Sequence, residues 1–495
     1  MVNKVDLNGR PLHFIGIGGI GMSALAQIVA QRQLPVSGSD VRNSHITKRL
    51  ESLGTKVFYR QEAENLELIA NLQPLKPLLA VSTNKDEETL TVLERSVDSE
   101  LDTSPQVICS TAIAHTNLEY QAALDKGYPI FHRSDVLAAL IEQYYSIAVS
   151  GTHGKTTTSS LISYLLLQAG LDPTIIVGGE VDAWAGNARA GNSKYLVAEA
   201  DESDGSLVKH SPNIGIITNI ELDHPDRYQS LDEVITVFQT FAHQCQTIIG
   251  CIDDETIASE IAVDISYSLD ENSDADYVAR NVNYNGSGSQ AEIWERGQLL
   301  GTLKLQLLGQ HNLSNALAAI AVGRKVGLEF SAIADAVGSF SGTKRRFELK
   351  GEANKIKFID DYAHHPSEIT VTLAAAKLRV KDRSQKRIIA IFQPHRYSRT
   401  ETFMNEFASS FIDADMVVIT DIYSAGEINF NNITGEQLAQ QIAITHPHTY
   451  YYSELNSLPY FLHEQILQPG DLVMFLGAGS LNQHIEQTIA LCSQD

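Results

Sequence analysis

The sequence predicts an α/β protein of three units in series, and three observations carry that prediction. Apolar runs of strand length alternate with helix-length stretches along the chain, the pattern of parallel sheets with helical crossovers. At 495 residues the chain exceeds what one hydrophobic core usually serves. Glycine-rich turns lie between a strand and a helix early in the first two units, at residues 16–21 and 151–154.

The first unit opens with the strand "HFIGIG", a helix from Met22, the strand "PVSGSD" and a helix near "ITKRLESLG". Strands follow at "LLAVST" and "VICSTA". Between these two, residues 86–104 hold seven acids against one Arg, which describes a solvated helix or loop and carries no chemistry. The stretch "PLHFIGIGGIGMSALAQIVA" has no Lys, Arg or acid and follows Arg10, so a signal peptide is the competing reading. Gly16, Gly18, Gly19 and Gly21 argue against it. Each would cost about 1 kcal/mol in a helix interior, and a strand–turn–helix accommodates them.

The second unit starts with the strand "SIAVSG" and a helix after Lys155. It continues through the strands "KYLVAEAD" and "NIGIITNI", a turn at "NVNYNGSGSQ" and the helix "NALAAIAVGRKVGL". The third begins around "KRRFELKG", with strands "KIKFIDD", "RIIAIFQ", "MVVITD" and "LVMFLGAG". A net charge of −23 with no offsetting basic tract argues against a nucleic-acid surface. Cys109, Cys245, Cys251 and Cys492 form no C-x-x-C pair, which suits a reducing cytoplasm. No other run approaches the roughly 20 apolar residues of a membrane span.

In "VSGTHGKTTT", Gly151 and Gly154 let backbone N–H groups turn toward a polyphosphate at a helix N-terminus. Lys155 is placed to reach the β- and γ-phosphates and the Thr156 hydroxyl to bind Mg²⁺. Val149 stands where the full Walker pattern has glycine. "VAEADESD" supplies Glu199, Asp201, Glu202 and Asp204 at one strand end, and "TNIELDHPD" supplies Asp223, His224 and Asp226 at another. Such hard oxygen donors suit Mg²⁺.

"GIGGIG" fits G-x-G-x-x-G through Gly16, Gly18 and Gly21, with Asp40 nineteen residues on. A backbone that can approach a diphosphate and an acid for a ribose hydroxyl serve either NAD or a nucleotide-diphosphate sugar. In the third unit, "DDYAHHPSEI" and "FQPHRYSRT" follow consecutive strands and offer Asp360, Asp361, Tyr362, His364, His365, His395, Arg396 and Arg399. Paired arginines suit a carboxylate or phosphate. Zinc is the weaker reading, because the adjacent His364 and His365 tend to point apart.

Taken in order, "GIGGIGMSALA", "GTHGKTTT", "EADESD", "TNIELDH", "HNLSNALAA", "RRFE", "DDYAHHPSEI", "QPHRYSRT" and "GAGS" resemble the Mur ligases over nearly the whole chain, and their alanine-adding branch in particular. The resemblance implies a Rossmann-like UDP-sugar domain over 1–143, a P-loop ATPase-like domain over 144–343, and a Rossmann-like ligase domain over 344–495. It implies ATP and Mg²⁺ as cofactors, UDP-N-acetylmuramate and L-alanine as substrates, an acyl-phosphate intermediate and a cytoplasmic location. By the same resemblance Gly151, Thr152, His153, Gly154, Lys155, Thr156 and Thr157 bind ATP, with His311, Asn312, Asn315 and Arg346 also on the nucleotide. Thr156, Glu199 and His224 hold metal. Gly16, Gly18, Gly19, Gly21 and Asp40 hold UDP, and Arg396 and Arg399 grip the UDP-sugar. Tyr362 and His364 lie near alanine, and His364 is the candidate base beside the catalytic Lys155. Leu118 replaces the proline usual in the family before Glu119. No lysine falls between Lys209 and Lys304, which excludes from that segment the modified lysine of other branches.

Overall fold

A computed structural model describes residues 4–70, 104–381 and 385–494. The expected strand "LLAVST" and the acidic stretch, apart from Ser104, lie outside these residues. Among the described residues, three sheets succeed one another along the chain.

The first sheet is parallel and runs Lys56–Phe58, Val36–Ser39, Leu12–Ile15, Gln106–Cys109, Ile130–His132. Its order reverses between Leu12–Ile15 and Gln106–Cys109, so the turn after Ile15 opens into the crevice where such sheets take ligands. The two outer strands are three residues each and half-buried, which is why the sequence pattern does not announce them. The helix Ile20–Gln31 that follows the turn is buried from Met22 through Val29. It is apolar all round because it lies between its own sheet and the strands Thr174–Val181 and Gly186–Arg189 of the second. That packing accounts for the run resembling a signal peptide.

The second sheet has ten strands. Its parallel centre places Ile214–Ile217, Tyr145–Ser150 and Tyr195–Glu199 side by side. The phosphate loop, the "NIELDH" loop and the acidic "EADESD" turn therefore leave adjacent strand ends. Beyond one edge, Tyr277–Asn285, Gly288–Glu295 and Gln298–Leu305 form an antiparallel meander. The sequence shows only its turn, because strands with one half-exposed face are too polar to stand out as apolar runs.

The third sheet runs Glu348–Ala353, Ile356–Asp361, Asp471–Leu476, Arg387–Phe392, Met416–Ile419, Thr449–Tyr451, parallel except at the first pair. The "DDYAHHP" and "QPHRYSRT" loops follow strands consecutive in sequence but not adjacent in the sheet. The strand Asp471–Leu476 lies between them, and Gly477 donates its N–H to the Asp361 carbonyl at 3.1 Å.

Candidate functional site

The phosphate loop is shaped by contacts that allow no side chain at its two glycines. Gly151 has φ 134°, and a Cβ there would overlap the Thr218 hydroxyl and stand 3.0 Å from the Thr218 nitrogen. Gly154 has φ 81°, and a Cβ would meet Asn315 Oδ1 at 2.7 Å. The loop is stapled to the neighbouring strand end. Thr152 N–H donates to the Asn219 carbonyl at 3.0 Å, and His153 N–H to Asn219 Oδ1 at 2.8 Å.

Lys155 opens the helix Lys155–Gln168 and turns back over the loop. Its Nζ donates to the Gly151 carbonyl at 2.6 Å and to Glu202 Oε2 at 2.8 Å. Burial opposes the ammonium, but Glu202, Asp201 and Glu199 prevail and hold its pKa above the usual lysine value. Burial lifts Glu202 to about 7. The proton between them resides on the lysine, the stronger base.

Beside it, Thr156 Oγ1 donates to Glu199 Oε1 at 3.2 Å and Gly178 N–H donates to Oε2 at 2.8 Å. Burial raises Glu199, and a Cβ on Gly178 would reach its carboxylate at 2.5 Å. A half-buried carboxylate and a hydroxyl converging in a cradle this close are a donor set suited to Mg²⁺. His224 has φ 56°, and burial lowers its pKa, leaving a neutral ring near Asp201 and Lys155.

A cavity of about 210 Å³ adjoins the loop and extends to the third sheet. His311, Asn312, Asn315, Arg346 and Asp361 line it together with Gly154 and Thr157. The sequence-predicted nucleotide residues from distant segments are thus gathered on one wall. Asn315 is fixed by Thr158, whose hydroxyl donates to its Oδ1 at 3.0 Å. Burial, then Arg346, hold His311 down at about 4. Asp361 accepts N–H groups of Phe347 at 2.7 Å and Ala363 at 2.8 Å, and burial raises it to about 6.

The third domain lines this cavity with Asp361, Ser367 and Glu368, and its histidines lie beside Glu368. His364 Nδ1 lies 2.9 Å from the Tyr362 carbonyl and 3.1 Å from Glu368 Oε2. Its ring is edge-on to His395, which stacks on Tyr423. Adjacent His365 turns the other way, toward His153 and Phe403. His153, Glu221 and His365 bring donor atoms within 4.8 Å of one another. Burial opposes a charge on His153, but Glu221 and Glu368 raise it to about 10, so a proton already supplies the positive charge there. Glu221, Glu368, His365 and His395 lie within the quoted segments "TNIELDH", "DDYAHHPSEI" and "QPHRYSRT", but the sequence assigned them no role and only folding brings them together.

Arg396 and Arg399, expected on the UDP-sugar, each form an ion pair with the second domain. Arg399, 1% exposed, gives Nε and Nη2 to Asp223 Oδ1 at 2.9 and 2.8 Å. Arg396 Nη1 donates to Asp226 at 2.6 Å and to Glu427 at 3.3 Å. Two guanidiniums facing the carboxylates on either side of His224 pair with them, so the arginines tie the third domain to the second.

At the first glycine loop, Asp40 accepts the Gly18 N–H at 2.9 Å and the Arg42 N–H at 2.9 Å. Gly19 caps the buried helix Ile20–Gln31, and the Arg133 side chain lies over Gly21. Arg133 also reaches Asp204 at 2.9 Å, joining this crevice to the second domain. Asn117 caps the helix Leu118–Asp125, and Leu118 occupies the first helical position, where proline is favoured but not required. Glu119 is wholly buried, 3.2 Å from His13 and 2.6 Å from Asn65, and also bonded to Ser39.

Comparison with known proteins covers the whole chain. Residues 11–145 match the catalytic domain of the Mur ligase family, 149–323 the Mur ligase middle domain, and 345–479 the Mur ligase glutamate ligase domain. A UDP-N-acetylmuramate–L-alanine ligase of Gloeothece citriformis is 61% identical, over 99% of both chains. One of Nostoc punctiforme is 62% identical, over 99% of this chain and 98% of the other. The crystal structure of UDP-N-acetylmuramate–alanine ligase from Thermotoga maritima superposes with a TM-score of 0.77 at 27% identity, covering 97% of this chain and 98% of that one.

Proposed function

The chain belongs to the Mur ligase family, and on that premise we infer that it is an ATP-dependent ligase joining L-alanine to UDP-N-acetylmuramate. The observation that carries the reading is the cavity wall shared by the phosphate loop and the third domain. An activated acid formed at one side there meets an amine at the other.

The chemistry follows from the weakness of a carboxylate as an acyl donor. A lactyl carboxylate oxygen attacks the γ-phosphorus, the β–γ bridging P–O bond breaks, and ADP leaves. The amine nitrogen attacks the acyl carbon of the resulting acyl phosphate. The C–O bond to phosphorus breaks with its electron pair, and inorganic phosphate leaves. Lys155 exchanges Glu202 for the transferring phosphoryl group and balances its charge. The backbone of Gly151 to Thr157 cradles the phosphates, and His311, Asn312, Asn315 and Arg346 hold the nucleoside. Thr156 and Glu199, with His224 at a second position, would hold Mg²⁺, which when bound supplies charge to polyphosphate oxygens.

Gly16, Gly18, Gly19, Gly21 and Asp40 form the UDP crevice. Tyr362 and His364 receive alanine, with His364 taking the proton shed by the amine. Burial leaves the His364 ring neutral, as that role requires. Arg396 and Arg399, paired with Asp226 and Asp223 of the second domain, are the residues that grip the UDP-sugar in this reading. The reaction belongs in the cytoplasm, where ATP and free alanine are available. No described helix is long and apolar enough to cross a membrane. The test is purified protein with ATP, Mg²⁺ and UDP-N-acetylmuramate, each amino acid being offered in turn. Amide and phosphate are expected in equal amounts with alanine, and phosphate release without amide would refute the reading.

A further inference from the structure

Glu368 has no role in the reaction above, yet it lies where the two halves of the site meet. It sits in the first turn of the helix Pro366–Lys381. Oε2 accepts the His364 N–H at 2.9 Å and the His365 N–H at 3.3 Å, and lies 3.1 Å from His364 Nδ1. Oε1 faces the phosphate loop, 3.4 Å from His153 Nδ1 and 3.7 Å from Arg346 Nη1.

The chemistry of these contacts fixes a tautomer. Both neighbours of His364 Nδ1, the Glu368 carboxylate and the Tyr362 carbonyl at 2.9 Å, are acceptors only. The hydrogen of the neutral ring therefore resides on Nδ1, and Nε2 keeps its lone pair. Nε2 makes no hydrogen bond among the described residues. A carboxylate beside Nδ1 also stabilises the imidazolium that forms when Nε2 takes a proton. Burial works against that cation, and Glu368 is the first of the influences that oppose burial.

We propose that Glu368 is a positioning residue for amide formation, holding His364 with Nε2 free to accept the proton shed by the attacking amine. The inference rests on the ligase reading above. In the step, the ammonium first gives one proton to Nε2 and through it to water, the freed amine forms the C–N bond, the acyl C–O bond breaks with its electron pair toward phosphate, and the second proton of the new nitrogen centre goes to the departing phosphate. Glu368 stays ionised throughout. Its other oxygen, on His153, ties that geometry to the phosphate loop.

The test compares two nucleophiles on the same acyl phosphate. Alanine arrives mostly as an ammonium ion and needs a base. Hydroxylamine is unprotonated at neutral pH and does not. Each rate is measured with ATP, Mg²⁺ and UDP-N-acetylmuramate, as amide and as hydroxamate, for wild type and Glu368→Gln. Any loss through the nucleotide pocket lowers both rates and cancels in their ratio. The alanine-to-hydroxylamine ratio is expected to fall at least about 10-fold in Glu368→Gln, short of the roughly 100-fold or more that a whole acid–base group contributes. Glu368→Asp keeps the acceptor on a shorter arm, and its ratio is expected between the two. Should the Gln variant not fold, the Asp variant decides, a ratio below wild type supporting the proposal and an equal one overturning it. Hydroxamate in the wild type with an unchanged ratio in Glu368→Gln overturns the proposal alone. No hydroxamate from wild type overturns the acyl-phosphate reading, and this inference with it.

Discussion

Replacing Arg399 with Met removes one half of an ion pair buried between two domains. Arg399 is 1% exposed and Asp223 is 4% exposed, and two guanidinium nitrogens contact a single carboxylate oxygen. Deleting one partner of such a pair costs about 3–5 kcal/mol, mostly because the remaining charge stays buried without compensation. Replacing both partners with uncharged groups of similar volume costs far less. Arg399→Met is therefore expected to lower the urea midpoint of the transition that frees the third domain. Adding Asp223→Asn is expected to recover most of the loss. Burial alone would raise Asp223, and Arg399 instead holds it below the ordinary carboxylate range. A group with a depressed folded pKa contributes stability above its unfolded value of about 3.9, lost only as pH falls through the folded value. Without Arg399 the buried carboxyl takes up a proton more readily. The penalty of Arg399→Met should then be greatest near neutrality and shrink toward about pH 4. Urea titrations at several pH values, followed by limited proteolysis of the loop after Phe392, measure it. A double variant as unstable as the sum of the singles, or a penalty that does not vary with pH, refutes the reasoning.

Lys155→Ala is expected to abolish phosphate release with alanine while calorimetry still detects UDP-N-acetylmuramate, since the two ligands use different domains. His153 has its pKa raised to about 10, against burial, by Glu221 and Glu368. A raised folded value contributes stability fully present below the unfolded pKa of about 6.5 and lost as pH rises through about 10. The stability gap between wild type and His153→Asn should accordingly close over that interval in urea titrations, and a gap constant with pH counts against the charged state.

How much was legible in the sequence follows from how local each feature is. The phosphate loop is contiguous, so Gly151, Gly154 and Lys155 announce themselves. The acids at the two neighbouring strand ends are readable because a parallel sheet aligns its loops on one edge. Partnerships made across domains are not readable in this way. Nothing near Arg399 in sequence points to Asp223, and the pair forms because two loops meet at an interface. The hub of His153, Glu221, His365 and Glu368 likewise joins three segments, each legible alone, whose mutual contacts no one of them foretells. The antiparallel meander escaped because its strands Tyr277–Asn285 and Gln298–Leu305 are buried on part of their length only.

The helix Ile20–Gln31, clasped on both sides, makes the two joints of this molecule unlike each other. Parting the first domain from the second would bring Ile28, Ala188 and Leu196 into water, an oily seam that resists opening. The joint to the third domain has Leu222 as an apolar contact but relies also on Arg396–Asp226, Arg399–Asp223 and His153–Glu368, groups that water can solvate once they separate. Any swing that admits nucleotide and lets product go thus falls to the carboxy-terminal lobe, while the amino-terminal two-thirds travel as one piece.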